Sequence, residues 1–378
     1  MSWTEDLRAL VAFNTVSDRP CDPLAAWLAT RCEDLGLTVE TFPSPEAGKR
    51  NLVASLGPVG TDGLVLSGHM DVVPTEGQPW TSDPFTLTQR GDRLVGRGTA
   101  DMKGFLAATL AALTRLDRRQ LRRELVLMWT YDEETGCAGS AHLARDWDRE
   151  ARPLPCACLI GEPTDLTIAR MHSGHVAVHI DVLGEAAHTS RPDLGVNAIE
   201  IAGRVVEVVR TFAADLRERV DPTLPLPNPW VPLVPARIHG GTAINVVPDR
   251  CRIDLGYRPL PGMSDDAIFR ELQLRLDRAL GPDRARVHAH VGAVVPSLLT
   301  PDGTALERLL TPHATPGPVG VPFATDAGNL ARLGMAPLVF GPGSIDVAHK
   351  ADEYVEIGAI ERTVDILEQV IAARCLQA

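Results

Sequence analysis

Lysine is almost missing from this chain of 378 residues: Lys49, Lys103 and Lys350 are the only three, and arginine carries nearly all the positive charge, a composition expected of a gene in GC-rich DNA. Acidic side chains outnumber basic ones, 49 against 37, for a formal net charge of −12. A nucleic-acid partner would want a clustered basic face, so that class is excluded. No apolar run approaches the roughly 18 residues that span a bilayer, so no membrane partner is expected. The opening Met1-Ser2-Trp3-Thr4-Glu5-Asp6 lacks the basic region and apolar core of a secretory signal, and a cytoplasmic location is expected. The seven cysteines contain no C-x-x-C pair. An odd number over this length predicts reduced, buried thiols rather than a disulfide framework, with Cys156 and Cys158 packing on one face of a strand. Gly240-Gly241 and Gly341-Pro342-Gly343 lack the spacing of a phosphate loop, and the missing G-x-S-x-G elbow excludes a serine hydrolase of that type.

What is present is a soluble globular composition, 44% hydrophobic and 23% charged, on a chain long enough for two domains or one with an insertion. Five short motifs stand out: Gly68-His69-Met70-Asp71, Gly98-Thr99-Ala100-Asp101-Met102-Lys103, Asp132-Glu133-Glu134-Thr135-Gly136, Gly161-Glu162-Pro163-Thr164 and Ala348-His349-Lys350. Four of them follow apolar, strand-like runs: Leu64-Val65-Leu66, Leu125 to Trp129, Cys158-Leu159-Ile160 and Leu338-Val339-Phe340. Open α/β sheets gather ligands and catalytic groups outside the carboxyl ends of their strands. Imidazoles and carboxylates delivered there suit zinc, and five or more ligands exceed one tetrahedral site. Two metals sharing a bridging carboxylate fit the set better, which predicts a two-metal hydrolase.

Residues 1–35 place Leu7, Leu10, Val11, Leu24, Trp27, Leu28 and Leu35 at helical spacing. Strands are predicted near 37–42, 51–56 and 64–66, and a helix over 104–116 directly after the Asp101 motif. This alternation predicts an α/β fold with a mixed, mostly parallel sheet covered on both faces. The pattern changes after about Ala177. A strand over 176–182 precedes a helix capped by Asn197, with Glu200 three residues on, running to about Arg219. The Pro-rich stretch 222–235 must be loop or sheet edge. Strands near 234–239 and 251–258, a helix over 264–280 and a strand over 286–291 complete a β-α-β-β-α-β order, the ferredoxin-like α+β arrangement. A metal-type motif returns at His349, so the smaller domain is inserted: 1–177 and 293–378 form the catalytic domain, and 178–292 the insertion.

As a set, these motifs resemble the dizinc amidohydrolases and exopeptidases of the aminoacylase/carboxypeptidase family, peptidase family M20. The likeness runs from about residue 5 to 372. Trp80-Thr81-Ser82-Asp83-Pro84-Phe85, Arg258-Pro259-Leu260-Pro261-Gly262, Gly341-Pro342-Gly343-Ser344 and Asp352-Glu353-Tyr354 add to it. Within that family the nearest likeness is to bacterial enzymes of arginine biosynthesis acting on N²-acetyl-L-ornithine. The resemblance implies two Zn²⁺, with Co²⁺ or Mn²⁺ as substitutes, and hydrolysis of an N-acyl amino acid. N²-acetyl-L-ornithine, giving ornithine and acetate, is the expected substrate. Desuccinylation of succinyl-diaminopimelate, or a broader acylase or carboxypeptidase activity, is the alternative. It also implies a homodimer, with the insertion serving as lid and dimerisation domain.

Transferred residue by residue, the resemblance makes Asp101 the carboxylate bridging both metals and puts a cis peptide after it. His69 and Glu162 complete one site, Glu134 and His349 the other. A His-x-Asp alone is more often a surface pair, but within this set Asp71 is expected to hydrogen-bond the ring nitrogen of His69 that faces away from the metal. Adjacent glutamates in an extended loop diverge, so Glu134 can bind metal while Glu133 faces substrate as general base. His188, on an inserted-domain loop, is implied to cross a dimer interface and donate to the tetrahedral oxyanion. The planar guanidinium of Arg258 suits the α-carboxylate of a substrate, and Asn245, across a predicted hairpin, is expected as a second substrate-binding residue. His142, His172, His175, His179, His239, His288, His290 and His313 are assigned to packing or surface.

Overall fold

A computed structural model describes residues 1–317 and 319–376. In chain order the principal elements are α1 (Trp3–Ala12), α2 (Asp22–Asp34), β1 (Thr38–Pro43), β2 (Arg50–Leu56), β3 (Gly63–His69), α3 (Lys103–Arg115), β4 (Glu124–Thr130), α4 (Ala138–Asp146) and β5 (Ala157–Ile160). There follow β6 (His175–Leu183), α5 (Ala198–Arg217), β7 (Leu233–Gly240), β8 (Arg250–Tyr257), α6 (Ala267–Leu280), β9 (Val287–Val295), β10 (Ala336–Val339) and α7 (Ile357–Ile371). Among the described residues no helix is long and apolar enough to cross a membrane. All seven cysteines are free thiols, but Cys156 sits one residue before β5 and is exposed, while Cys158 within the strand is buried. Cys156 therefore does not join Cys158 in the core as expected.

The chain divides into two compact units. The first comprises Met1–Met171, Thr300–Val319 and Thr325–Ala378; the second His172–Leu299 and Gly320–Ala324. Boundaries at 177 and 292 would cut β6 and β9, whose ladder to each other runs from Val287↔Val182 to Val295↔His175. A paired strand moves as one body, so the division falls outside both.

The first unit is built on a six-stranded sheet of order β1-β2-β4-β3-β5-β10. β4, β3, β5 and β10 run parallel, and β2 pairs antiparallel with both β1 and β4. Every residue of β3 and β4 is buried, the signature of strands covered on both faces. The Ala- and Leu-rich α3 is buried along most of its length and packs against β3, α1 and α7. Phe105 of α3 approaches the end of β5 so closely that a Cβ on Gly161 would lie 1.9 Å from its ring, so only glycine fits there. Between α1 and α2 a buried, two-point pair joins Arg31 and Asp6, at 3.0 and 3.3 Å.

In the second unit four strands form an antiparallel sheet of order β7-β8-β6-β9, the ferredoxin-like arrangement. β6 alternates, with Val176, Val178, Ile180 and Val182 buried and the residues between them only partly so. The Asn197 carboxamide accepts from the main-chain N–H of Ile199 and Glu200 and donates to the Glu200 side chain, so the cap forms as the spacing predicts. The helix ends at Arg217, two residues before the expected Arg219. Pro235 lies on the edge strand β7 beside a register shift, where its missing N–H disturbs the ladder least.

Candidate metal centre

Strand ends deliver most of the site. β3 ends on His69. β4 ends at Thr130 and turns through Tyr131 and Asp132 into Glu133 and Glu134; β5 leads through Gly161 to Glu162. β10 leads into the loop that carries His349. Asp101 comes instead from the turn before α3, through a cis Asp101–Met102 peptide. It does not cap that helix, whose N-cap is Met102. Asp132 and His349 both hold positive φ, 52° and 63°, unusual for side chains with a Cβ. The Asp132 turn is pinned by Lys49, whose Nζ lies 2.5 Å from the carboxylate and 2.8 Å from the Ser17 carbonyl.

The two oxygens of Asp101 face different histidines. Oδ1 lies 3.0 Å from His69 Nε2, and Oδ2 lies 3.1 Å from His349 Nε2. His349 Nε2 is also 3.0 Å from Glu134 Oε2, and His69 Nε2 is 3.9 Å from Glu162 Oε2. Two groups of side chains offer ligand atoms within 4.8 Å of one another: His69, Asp101 and Glu134, and His69, Glu133 and Glu162. All five expected ligands and Glu133 thus meet at one place.

Asp71 acts differently from the expectation. Nδ1 of His69 faces the Asp71 main-chain carbonyl at 2.9 Å, while the carboxylate stands 3.7 Å away. That carboxylate accepts from the N–H groups of Glu133 (3.0 Å) and Glu134 (3.2 Å) and from the Ser17 hydroxyl (2.7 Å). One residue therefore orients the imidazole with its backbone and the glutamate turn with its side chain.

The electrostatics follow from burial of like charges. Desolvation, then the Glu162 charge, raises the Glu133 carboxyl well above its ordinary range; desolvation, then the Asp101 charge, does the same to Glu162. Those same two causes, burial and Asp101, push Glu134 up to about 7. Hydrogen bonds to Asp101 and Glu134 raise His349 to about 10. For His69 burial works against the charged form, but the Asp101 hydrogen bond and the Glu162 charge outweigh it and the pKa rises. Such a cluster holds protons only for want of other positive charge. Glu162 Oε1 is buried without a hydrogen-bond partner. An orphan carboxylate oxygen, shared Asp101 oxygens and a mixed imidazole–carboxylate donor set fit a pair of divalent cations.

His188, Asn245 and Arg258 lie in the second unit. His188 is exposed, its Nδ1 2.8 Å from the Ser190 hydroxyl. Its loop pairs with that of Asn245 through a His188↔Val246 bridge and a Thr189 N–H to Asn245 carbonyl bond. Arg258 follows the interior strand β8 and lines a cleft of about 220 Å³ with Ser173, Leu226, Asn228 and Pro322. Burial lowers its pKa, and no carboxylate among the described residues pairs with it.

Other site residues escape a motif reading. Asp326, fully buried, accepts from the Thr130 and Ser140 hydroxyls at 2.5 Å each, behind the glutamate turn. Ser17 and Lys49 support that turn from the chain's first fifty residues, and Arg97 reaches the His349 loop. Only Arg97 had a local signal, standing in Gly96-Arg97-Gly98 beside the Asp101 motif.

Imidazoles and carboxylates gathered at the carboxyl edge of parallel strands form a candidate site of the kind two-metal hydrolases use. Residues 65–373 match peptidase family M20/M25/M40. The chain is 36% identical over 392 residues to an acetylornithine deacetylase of Proteus mirabilis, covering 99% of this chain and 97% of that one. Its identity to an acetylornithine deacetylase of Edwardsiella ictaluri is 37% over 386 residues, covering 97% and 96%. In three dimensions it resembles an M20 family metallo-carboxypeptidase from Sulfolobus solfataricus, with a TM-score of 0.75 and 17% identity over 98% of each chain. The chain belongs to peptidase family M20/M25/M40 and is a hydrolytic enzyme.

Proposed function

We propose that this enzyme hydrolyses the amide bond of an N-acyl amino acid in the cytoplasm, with N²-acetyl-L-ornithine as substrate and ornithine and acetate as products. The single observation that carries the metal-dependent reading is Asp101, each of whose oxygens faces a separate imidazole. The substrate follows from full-length similarity to acetylornithine deacetylases. Asp101 with His69 and Glu162 would hold one Zn²⁺, and Asp101 with Glu134 and His349 the other; Co²⁺ or Mn²⁺ could substitute. When bound, the ions supply a polarised acyl carbonyl and an attacking water of lowered pKa.

Glu133, whose carboxylate groups with His69 and Glu162, takes the proton from that water and returns it to the leaving amine. His188 of a partner subunit donates to the developing oxyanion, so the working form is a homodimer. Arg258, half-buried and with no carboxylate partner among the described residues, receives the substrate α-carboxylate, and Asn245, whose loop pairs with that of His188, is a second substrate-binding residue. The second unit serves as lid and dimerisation domain. The test is turnover of N²-acetyl-L-ornithine against N-succinyl-diaminopimelate by the zinc-loaded protein. A kcat/KM at least about 100-fold higher for the acetyl substrate is expected, the scale on which a fitted pocket discriminates. The reverse ratio would assign the enzyme to desuccinylation.

A further inference from the structure

Behind the cluster lies an ion pair that touches no candidate ligand side chain, yet holds the main chain at two of them. Arg97 and Glu353 are each 1% exposed, with Nη1 2.6 Å from Oε2. The other carboxylate oxygen, Oε1, accepts from the N–H groups of Ala100 (2.9 Å) and Asp101 (3.1 Å). Nη2 of Arg97 donates to Gln78 Oε1 at 2.7 Å, and Gln78 Nε2 in turn donates to the His349 carbonyl at 3.0 Å. Nη1 also reaches the Lys350 carbonyl at 3.4 Å. One guanidinium–carboxylate pair therefore fixes two ligand loops that are far apart in sequence. His69 and Glu162 have no such need, since they stand at or just beyond the ends of the paired strands β3 and β5.

We infer that Arg97, Glu353 and Gln78 are positioning residues for the metal pair: through Gln78 they set His349, and so the affinity of the Asp101–Glu134–His349 position, and through Glu353 they set the shared Asp101. The inference rests on the two-ion reading above. A side chain as exposed as His349, on a loop with left-handed backbone, would otherwise sample many positions. Outer hydrogen bonds that orient ligands typically change metal affinity by about 10–100-fold when removed.

The experiment is stepwise binding of Co²⁺ or Zn²⁺ to the full-length protein stripped of metal, followed by calorimetry and chelator competition. Wild type should take up two equivalents. Gln78→Ala keeps the Arg97–Glu353 contact and removes the link to His349 together with the bonds that Arg97 Nη2 and Trp80 Nε1 make to Gln78; Glu353→Gln disturbs the pair itself. Gln78→Ala should hold the first equivalent within about threefold of wild type and bind the second at least about tenfold more weakly while melting as wild type does, and Glu353→Gln, which frees the shared Asp101, should weaken both. In Gln78→Ala a merely structural role would lower the melting temperature or weaken both equivalents together, and either result overturns the inference, as does Gln78→Ala with both affinities intact. Should Glu353→Gln fail to fold, Gln78→Ala decides. Wild-type protein that takes up fewer than two equivalents overturns the two-ion reading, and the inference falls with it.

Discussion

The two halves of the cluster are made in different ways. His69 and Glu162, 1% and 4% exposed, stand at or just past strand ends in the middle of a sheet buried on both faces. Glu134 and His349 sit on loops, and the His349 side chain is 49% exposed. Strand ends are placed by ladders and core packing, which the whole unit stabilises. Loop positions must be held by specific polar contacts, here from Asp71 below the glutamate turn and from the Arg97–Glu353 pair behind Asp101. The adjacent Glu133 and Glu134 diverge: Glu133 groups with His69 and Glu162, while Glu134 groups with His69 and Asp101 and also meets His349.

The sharpest test of that division is Glu133→Ala. It should cut kcat by about 10²–10⁴-fold, the scale of general acid–base help, with zinc content by elemental analysis unchanged. Loss of metal with activity retained per bound ion would reverse the roles of the two glutamates. Next in size is stability without metal. His69→Ala leaves buried carboxylates without their partner and should lower the unfolding free energy by about 3–5 kcal/mol in urea titrations. His349→Ala, at a largely solvated pair, should stay within about 1 kcal/mol. Equal losses would erase the distinction between the halves.

His188→Ala probes a contribution from neither half. It should cost about 2–4 kcal/mol of transition-state stabilisation, read as kcat, while sparing metal binding. Mixed with Glu133→Ala subunits it should recover partial activity, because each mixed dimer would hold one intact composite site. Mixed dimers as inactive as both parents would show that the site is not shared. Smallest is Asp71→Asn, which replaces an acceptor of two main-chain N–H groups by a carboxamide and should weaken metal binding by about 10–100-fold in chelator competition. An unchanged affinity would show that the glutamate turn holds itself.

Much of this site was legible because its signals are local. An apolar run followed by His69, Glu133-Glu134 or Glu162 marks a buried strand and the residue just beyond its end, and both follow from the period and burial of parallel strands. The second unit was legible for the same reason: alternation in Val176–Val182, the Asn197 cap and the prolines before β7 each act within a few residues. Boundaries were less so, since α5 stops at Arg217 and the division between units at residues 171 and 299 follows ladder pairing between distant strands.

By itself, then, the sequence determined which imidazoles and carboxylates stand as candidate ligands, which strands they follow and which local caps and turns start each element, because those depend on neighbours along the chain. Only the tertiary structure decided that Asp101 turns one oxygen to each histidine, and that Asp71 meets His69 through its carbonyl and the glutamate turn through its carboxylate. It also decided that Lys49, Arg97 and Glu353 support ligands they do not adjoin. Such contacts arise when buried polar groups from remote segments must satisfy one another away from water, and no spacing along a chain records which of them will meet.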